Sequence, residues 1–130
     1  MSFKSIKIFL IYYLPPIIWM GIIFYLSSIA GLKTGAIIPV EIVLRKAAHL
    51  FEYIFLSFLF WRIFYWRWKL SAFKSGVLAF SLTVIYAASD EIHQSFVENR
   101  AGRATDVAVD ATGGLLGVIL SKNLFASKRR

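Results

Sequence analysis

Ser89-Asp90-Glu91-Ile92-His93-Gln94 sets two carboxylates, an imidazole and a carboxamide into the end of an apolar run that begins near Lys74. On a soluble helix these groups would be an ordinary wet face. Inside a bilayer, ionisable side chains cost several kcal/mol unless paired, and by default they mark a functional site. Which case applies fixes the fold, and the composition decides it. The chain is 58% hydrophobic with a mean hydropathy of +0.67, above the apolar content of a soluble domain. Its 130 residues fit one domain.

Three other apolar runs surround this one. The first, Ile8 to Ala30, has 23 residues, enough at about 1.5 Å per residue to cross a hydrocarbon core of roughly 30 Å. Pro15-Pro16 should kink it, which membrane helices tolerate. Lys4 and Lys7 before it and Ser28-Ile29-Ala30 at its end give it the outline of a signal peptide. Its apolar core is too long and the proline pair interrupts it, so it reads as a retained span. Gly31 to Leu44 reads as a loop, with Gly31, Gly35 and Pro39 as breakers. The remaining spans fall at about 46–64, 74–97 and 104–120. The predicted architecture is all-α, with four transmembrane helices in one domain and no internal repeat.

Charge sets the expected topology. The net charge of +8 does not form a basic nucleic-acid face, because the cations lie between the apolar runs. The two ends and the 65–74 loop with Arg62 carry ten Lys and Arg; the other two loops and adjoining helix ends carry five. The positive-inside rule then places both termini in the cytoplasm. Trp61, Arg62, Tyr65, Trp66, Arg67, Trp68 and Lys69 are the aromatic and basic mixture that a membrane interface selects. All seven acidic residues fall in the outer half under this topology. With no cysteine, neither a disulfide framework nor a thiolate metal site or nucleophile is available.

The outer half holds a constellation. Lys46, His49 and Glu52 recur every three residues and share roughly one helix face. Asp90 and Gln94 are an i,i+4 pair, as are Asp106 and Asp110, and Gly113 and Gly117 continue the latter stripe. Glycines so spaced let another helix approach closely. Ser27 and Ser28 end the first span and can close the cluster from a fourth side. Arg100 and Arg103 add cations from the turn between the last two spans.

The order Lys46-x-x-His49-x-x-Glu52-Tyr53, then Asp90-Glu91-x-x-Gln94-x-Phe96, then Arg100, Asp106, Asp110 and Gly114, resembles the VanZ-like family over about residues 19–118. The resemblance implies a small polytopic protein of the bacterial cytoplasmic membrane. The family is named for a member that gives low-level resistance to teicoplanin, so a cell-envelope role and glycopeptide tolerance are implied. Two features depart from the family pattern: Glu98-Asn99 stands where a Pro-Gly pair often precedes the arginine, and Arg103 stands where a small residue is common.

Four chemistries fit the constellation. As a brace, Lys46, Arg100 and Arg103 neutralise the carboxylates, although buried pairs add little net stability over apolar packing. As a headgroup site, the same cations bind the phosphate or carboxylate of a membrane lipid, a lipid-linked envelope precursor or a glycopeptide-related ligand, with Gln94 beside them and Asp106 and Asp110 among the acids that orient the cations. As an enzyme, His49 serves as base with Glu52 as its orienter, and Asp90 and Glu91 supply further acid–base groups; no Ser or Cys motif offers a nucleophile. As a metal site, the three neighbouring cations would compete for the same carboxylates, so neither metal nor cofactor is assigned. The headgroup reading is preferred.

Overall fold

The computed structural model describes residues 2–29, 38–97 and 103–126. Four helices long and apolar enough to cross a membrane fill this range, and no strand occurs among the described residues. Helix α1 covers Phe3–Ser28 and α2 runs Ile38–Arg62, continuing as a π-helical turn over Ile63–Arg67. Helix α3 is Ala72–Gln94 and α4 is Ala104–Phe125.

The α1 helix shows what a proline pair does to backbone bonding. Phe9–Tyr13 form a π turn, in which Leu14 N–H reaches the Phe9 carbonyl. An α-helical partner for the Ile11 carbonyl would be Pro15 N, and a π-helical partner would be Pro16 N. Neither carries a hydrogen. The orphaned carbonyl accepts instead from the Arg62 guanidinium of α2. Arg62 also lies over the Tyr12 ring, 5.3 Å from its centroid, a favourable cation–π arrangement. The Arg62 cation is thereby satisfied by an acceptor that proline chemistry left free.

Helix α2 begins at Ile38, well before the expected start near Lys46. Pro39 is a helix starter here, since a residue in the first turn has no intrahelical acceptor for its N–H anyway. Val40, Ile42, Val43 and Leu44 on this extension are all exposed. The early start puts His49 eleven residues into the helix, roughly 16 Å from its beginning. The other boundaries shift less: α1 begins at Phe3, α3 ends at Gln94, and α4 runs on to Phe125.

Glycines decide the packing. A Cβ on Gly113 would lie 2.6 Å from the Leu50 carbonyl oxygen and 3.2 Å from Tyr53 Cβ, while Gly117 abuts the Ile54 carbonyl and Ser57. Gly114 turns the other way, toward Thr83 of α3, and Ser57 Oγ donates to its carbonyl at 2.8 Å. Helix α4 is therefore wedged between α2 and α3, with backbones at a spacing only glycine permits. These contacts advance together along α2 and α4 and in opposition along α3 and α4, where Gly76 meets Val118 and Gly114 meets Thr83. The four helices run in alternating directions. Buried Tyr53, Leu56, Phe60, Trp61, Ile63, Phe64 and Tyr65 of α2 form most of the core, with Ile23, Ala79 and Ala87 from α1 and α3. The α1 helix buries only Pro16, Ile23 and Ser27 within its Leu14–Ser28 stretch and leans on α2 and α3.

Candidate functional site

Where the ends of α1 and α3 meet the first turns of α4, the polar residues come together. Asp90, one turn from the end of α3, is 2% exposed and has both oxygens engaged. Ser27 Oγ donates to its Oδ1 at 2.6 Å, and Gln94 Nε2 donates to Oδ2 at 2.8 Å. The Tyr53 hydroxyl reaches the same Oδ2 at 3.5 Å. All three donors are neutral, so Asp90 ties α1, α2 and α3 together by hydrogen bonds without an ion pair. The i,i+4 spacing accounts for Gln94; the Ser27 and Tyr53 contacts are tertiary.

Asp110 and Glu91 are engaged on one side only. Asp110 is 1% exposed, and its Oδ1 lies 3.3 Å from His49 Nδ1. Its Oδ2 is buried and without a hydrogen-bond partner. Glu91 is 7% exposed and accepts from the backbone N–H of Arg103 through Oε1, while its buried Oε2 has no partner. Glu91 lies within electrostatic reach of Asp106, Asp110 and His49, and His49 within reach of Glu52 and Asp90. Three buried carboxylates thus share one region with one imidazole.

The remaining sequence candidates take more varied places. His49 finds its carboxylate on α4, in Asp110, rather than in Glu52 one turn along its own helix. Glu52 is half-buried, and its backbone carbonyl accepts from Trp19 Nε1 at 2.9 Å. Lys46 is exposed, as is the Arg103 side chain, so Arg103 meets the cluster through its amide. Asp106 is half-buried in the first turn of α4, where the helix dipole favours an anion. Arg100, with Glu98 and Asn99, lies outside the described residues.

Three participants drew little weight from the sequence. His93 stacks on Phe24 of α1, with ring centroids 4.1 Å apart, and its Nε2 lies 2.9 Å from Ser28 Oγ. Trp19 and Tyr86 hydrogen-bond backbone carbonyls of neighbouring helices, Tyr86 to that of Met20 at 2.6 Å. Such contacts leave no spacing signal in the chain, because either partner alone is an ordinary span residue.

A family model described as VanZ/LLP1 matches residues 3–126. The chain belongs to the VanZ/LLP1 family. That range takes in all four helices, so the buried cluster lies within the family's own domain. Comparison with curated proteins and with solved structures gives no match. Among the described residues, no group of three or more His, Cys, Asp or Glu side chains is placed to hold a metal ion. What the VanZ/LLP1 arrangement offers chemically is an acceptor-rich, water-poor region with one imidazole–carboxylate pair. It can bind donors, and it can hold or move a proton at His49.

Proposed function

We propose that this VanZ/LLP1 protein binds the headgroup of a lipid-linked or peptidoglycan-related component of the cell envelope at the outer face of the bacterial cytoplasmic membrane. The observation that carries the reading is the burial of Asp90, Glu91 and Asp110 at the meeting point of four apolar helices. Bracing alone would call for saturated groups such as Asp90. Glu91 and Asp110 each keep an oxygen in reserve. An amphiphile suits the place, because its tail stays in the bilayer while its headgroup enters between helices. Lys46 and Arg103 are exposed near the same end and, with Arg100, would attract a phosphate. A contribution to glycopeptide tolerance would follow from engaging such a ligand.

The His49–Asp110 contact favours a second reading, in which the bound headgroup is also processed. A carboxylate beside Nδ1 fixes the imidazole tautomer and leaves Nε2 to accept a proton. The reaction class would be hydrolysis or transfer at a phospho-lipid, with an activated water or His49 itself as nucleophile.

Two experiments test the proposal. Thermal unfolding of detergent-purified protein is followed against a polyprenyl phosphate, with Arg100→Gln alongside. Stabilisation that disappears in a folded Arg100→Gln variant is the expected result; no shift with the wild type would overturn the binding reading. Topology is tested by single cysteines at Ser2 and Ala104, each unique because the chain has none. The Ala104 position should label from outside intact cells, and Ser2 only after permeabilisation. The reverse pattern would place the cluster on the cytoplasmic face.

A further inference from the structure

Two buried oxygens in one region lack a donor: Oε2 of Glu91 and Oδ2 of Asp110. Leaving such a group unpaired forfeits its hydration without return, and the loss is greater when it is charged. The contrast with Asp90, whose two oxygens take three neutral donors, shows that this chain can saturate a carboxylate where it needs to. The charge balance points the same way. Asp90, Glu91 and Asp110 are buried with His49 as their one ion-pair partner among the described residues, and the side chains of Lys46 and Arg103 are exposed. A ligand portion reaching these oxygens must bring hydrogen-bond donors, and positive charge is favoured over neutral hydroxyls. A metal ion is a poor fit, since no group of three ligands is assembled among the described residues.

We infer that Glu91 and Asp110 receive a protonated primary amine carried by the headgroup of the bound amphiphile. This rests on the headgroup-binding reading and narrows it: phosphate attraction alone would use the exposed cations, whereas the buried acids select the amine. A primary ammonium has three N–H donors, enough in number for both oxygens. A trimethylated ammonium carries the same charge with no N–H, and leaves both unpaired. The amine can come from an ethanolamine lipid or from an amine-bearing peptide on a lipid-linked precursor, and the two share this chemistry.

The test follows thermal unfolding of the detergent-purified full chain with short-chain phosphatidylethanolamine, phosphatidylcholine and phosphatidylglycerol added separately, and with a lysine-bearing peptide amphiphile as the fourth arm. Ethanolamine lipid or the peptide amphiphile should raise the midpoint by about 5 °C at ten times Kd, and the choline lipid should not. Which of the two acts identifies the source of the amine. Glu91→Gln should abolish the shift, because a carboxamide keeps the shape and loses the charge. The wild-type comparison needs no variant to fold, and Asp110→Asn provides a second one. Equal shifts with choline or glycerol lipid would overturn the inference, as would a shift that survives in both variants. A shift with polyprenyl phosphate and none with any amine would overturn this inference and leave the headgroup-binding proposal standing.

Discussion

Gly113→Ala should destabilise the protein even though alanine is the better helix former. The new methyl would start 2.6 Å from the Leu50 carbonyl oxygen. An ordinary separation near 3.5 Å requires α2 and α4 to part by about 0.9 Å (3.5 − 2.6). The opposing atom is backbone, so no rotamer change relieves the contact. Overpacking of this kind costs about 1–3 kcal/mol, and the rigid partner argues for the upper end. Exchanging glycine for alanine in a helix returns about 1 kcal/mol, leaving a net loss near 2 kcal/mol. The damage reaches the site as well. Asp110 stands one turn before Gly113, so the same parting would stretch its 3.3 Å contact with His49 past hydrogen-bond range. Gly21 is the internal control, with nothing within 4 Å of its would-be Cβ. There the propensity gain is unopposed, and Gly21→Ala should be neutral or stabilising by up to about 1 kcal/mol. Both variants are compared with wild type by thermal unfolding in one detergent. A Gly113→Ala protein as stable as wild type, or both substitutions shifting the midpoint alike, would refute the claim that glycine spacing sets the α2–α4 approach.

The proline-freed carbonyl gives a second prediction: Arg62→Leu should cost about 2 kcal/mol by leaving the Ile11 oxygen without a donor, and Pro15→Ala, which restores an N–H to that carbonyl, should recover part of the loss. A double-mutant cycle in thermal unfolding measures this, and strict additivity would mean that Arg62 acts elsewhere. Ser27→Ala should cost about 1.5–3 kcal/mol by stripping the donor from Asp90 Oδ1, and it should loosen α1 in particular. Hydrogen exchange of the α1 amides against those of α4 reads this out; equal loosening of both helices would argue against a local tie.

The number of spans, their rough places and the unusual acids within them could be read from the chain, because hydropathy is a sum over residues and requires no partner. The i,i+4 pairing of Asp90 with Gln94 and the glycine stripe of α4 were visible for the same reason, since helical periodicity is local. The sequence misjudged where it treated Pro39 as a breaker: a proline's effect depends on whether it falls in the first turn or the interior of a helix, and the local pattern is the same in both.

Partner choice belongs to the tertiary structure. On α2 alone, helical spacing offers Glu52 as the orienter of His49; the parallel α2–α4 packing, set by Gly113 and Gly117, brings Asp110 to its Nδ1. Helix ends likewise put Ser27 on Asp90 and the Arg103 amide on Glu91. By itself the sequence determined that this chain is four apolar helices carrying more acid than a bilayer accepts unpaired. Only the tertiary structure decided which acid is saturated and which two keep an oxygen unpaired, because that depends on distances between helices far apart in the chain.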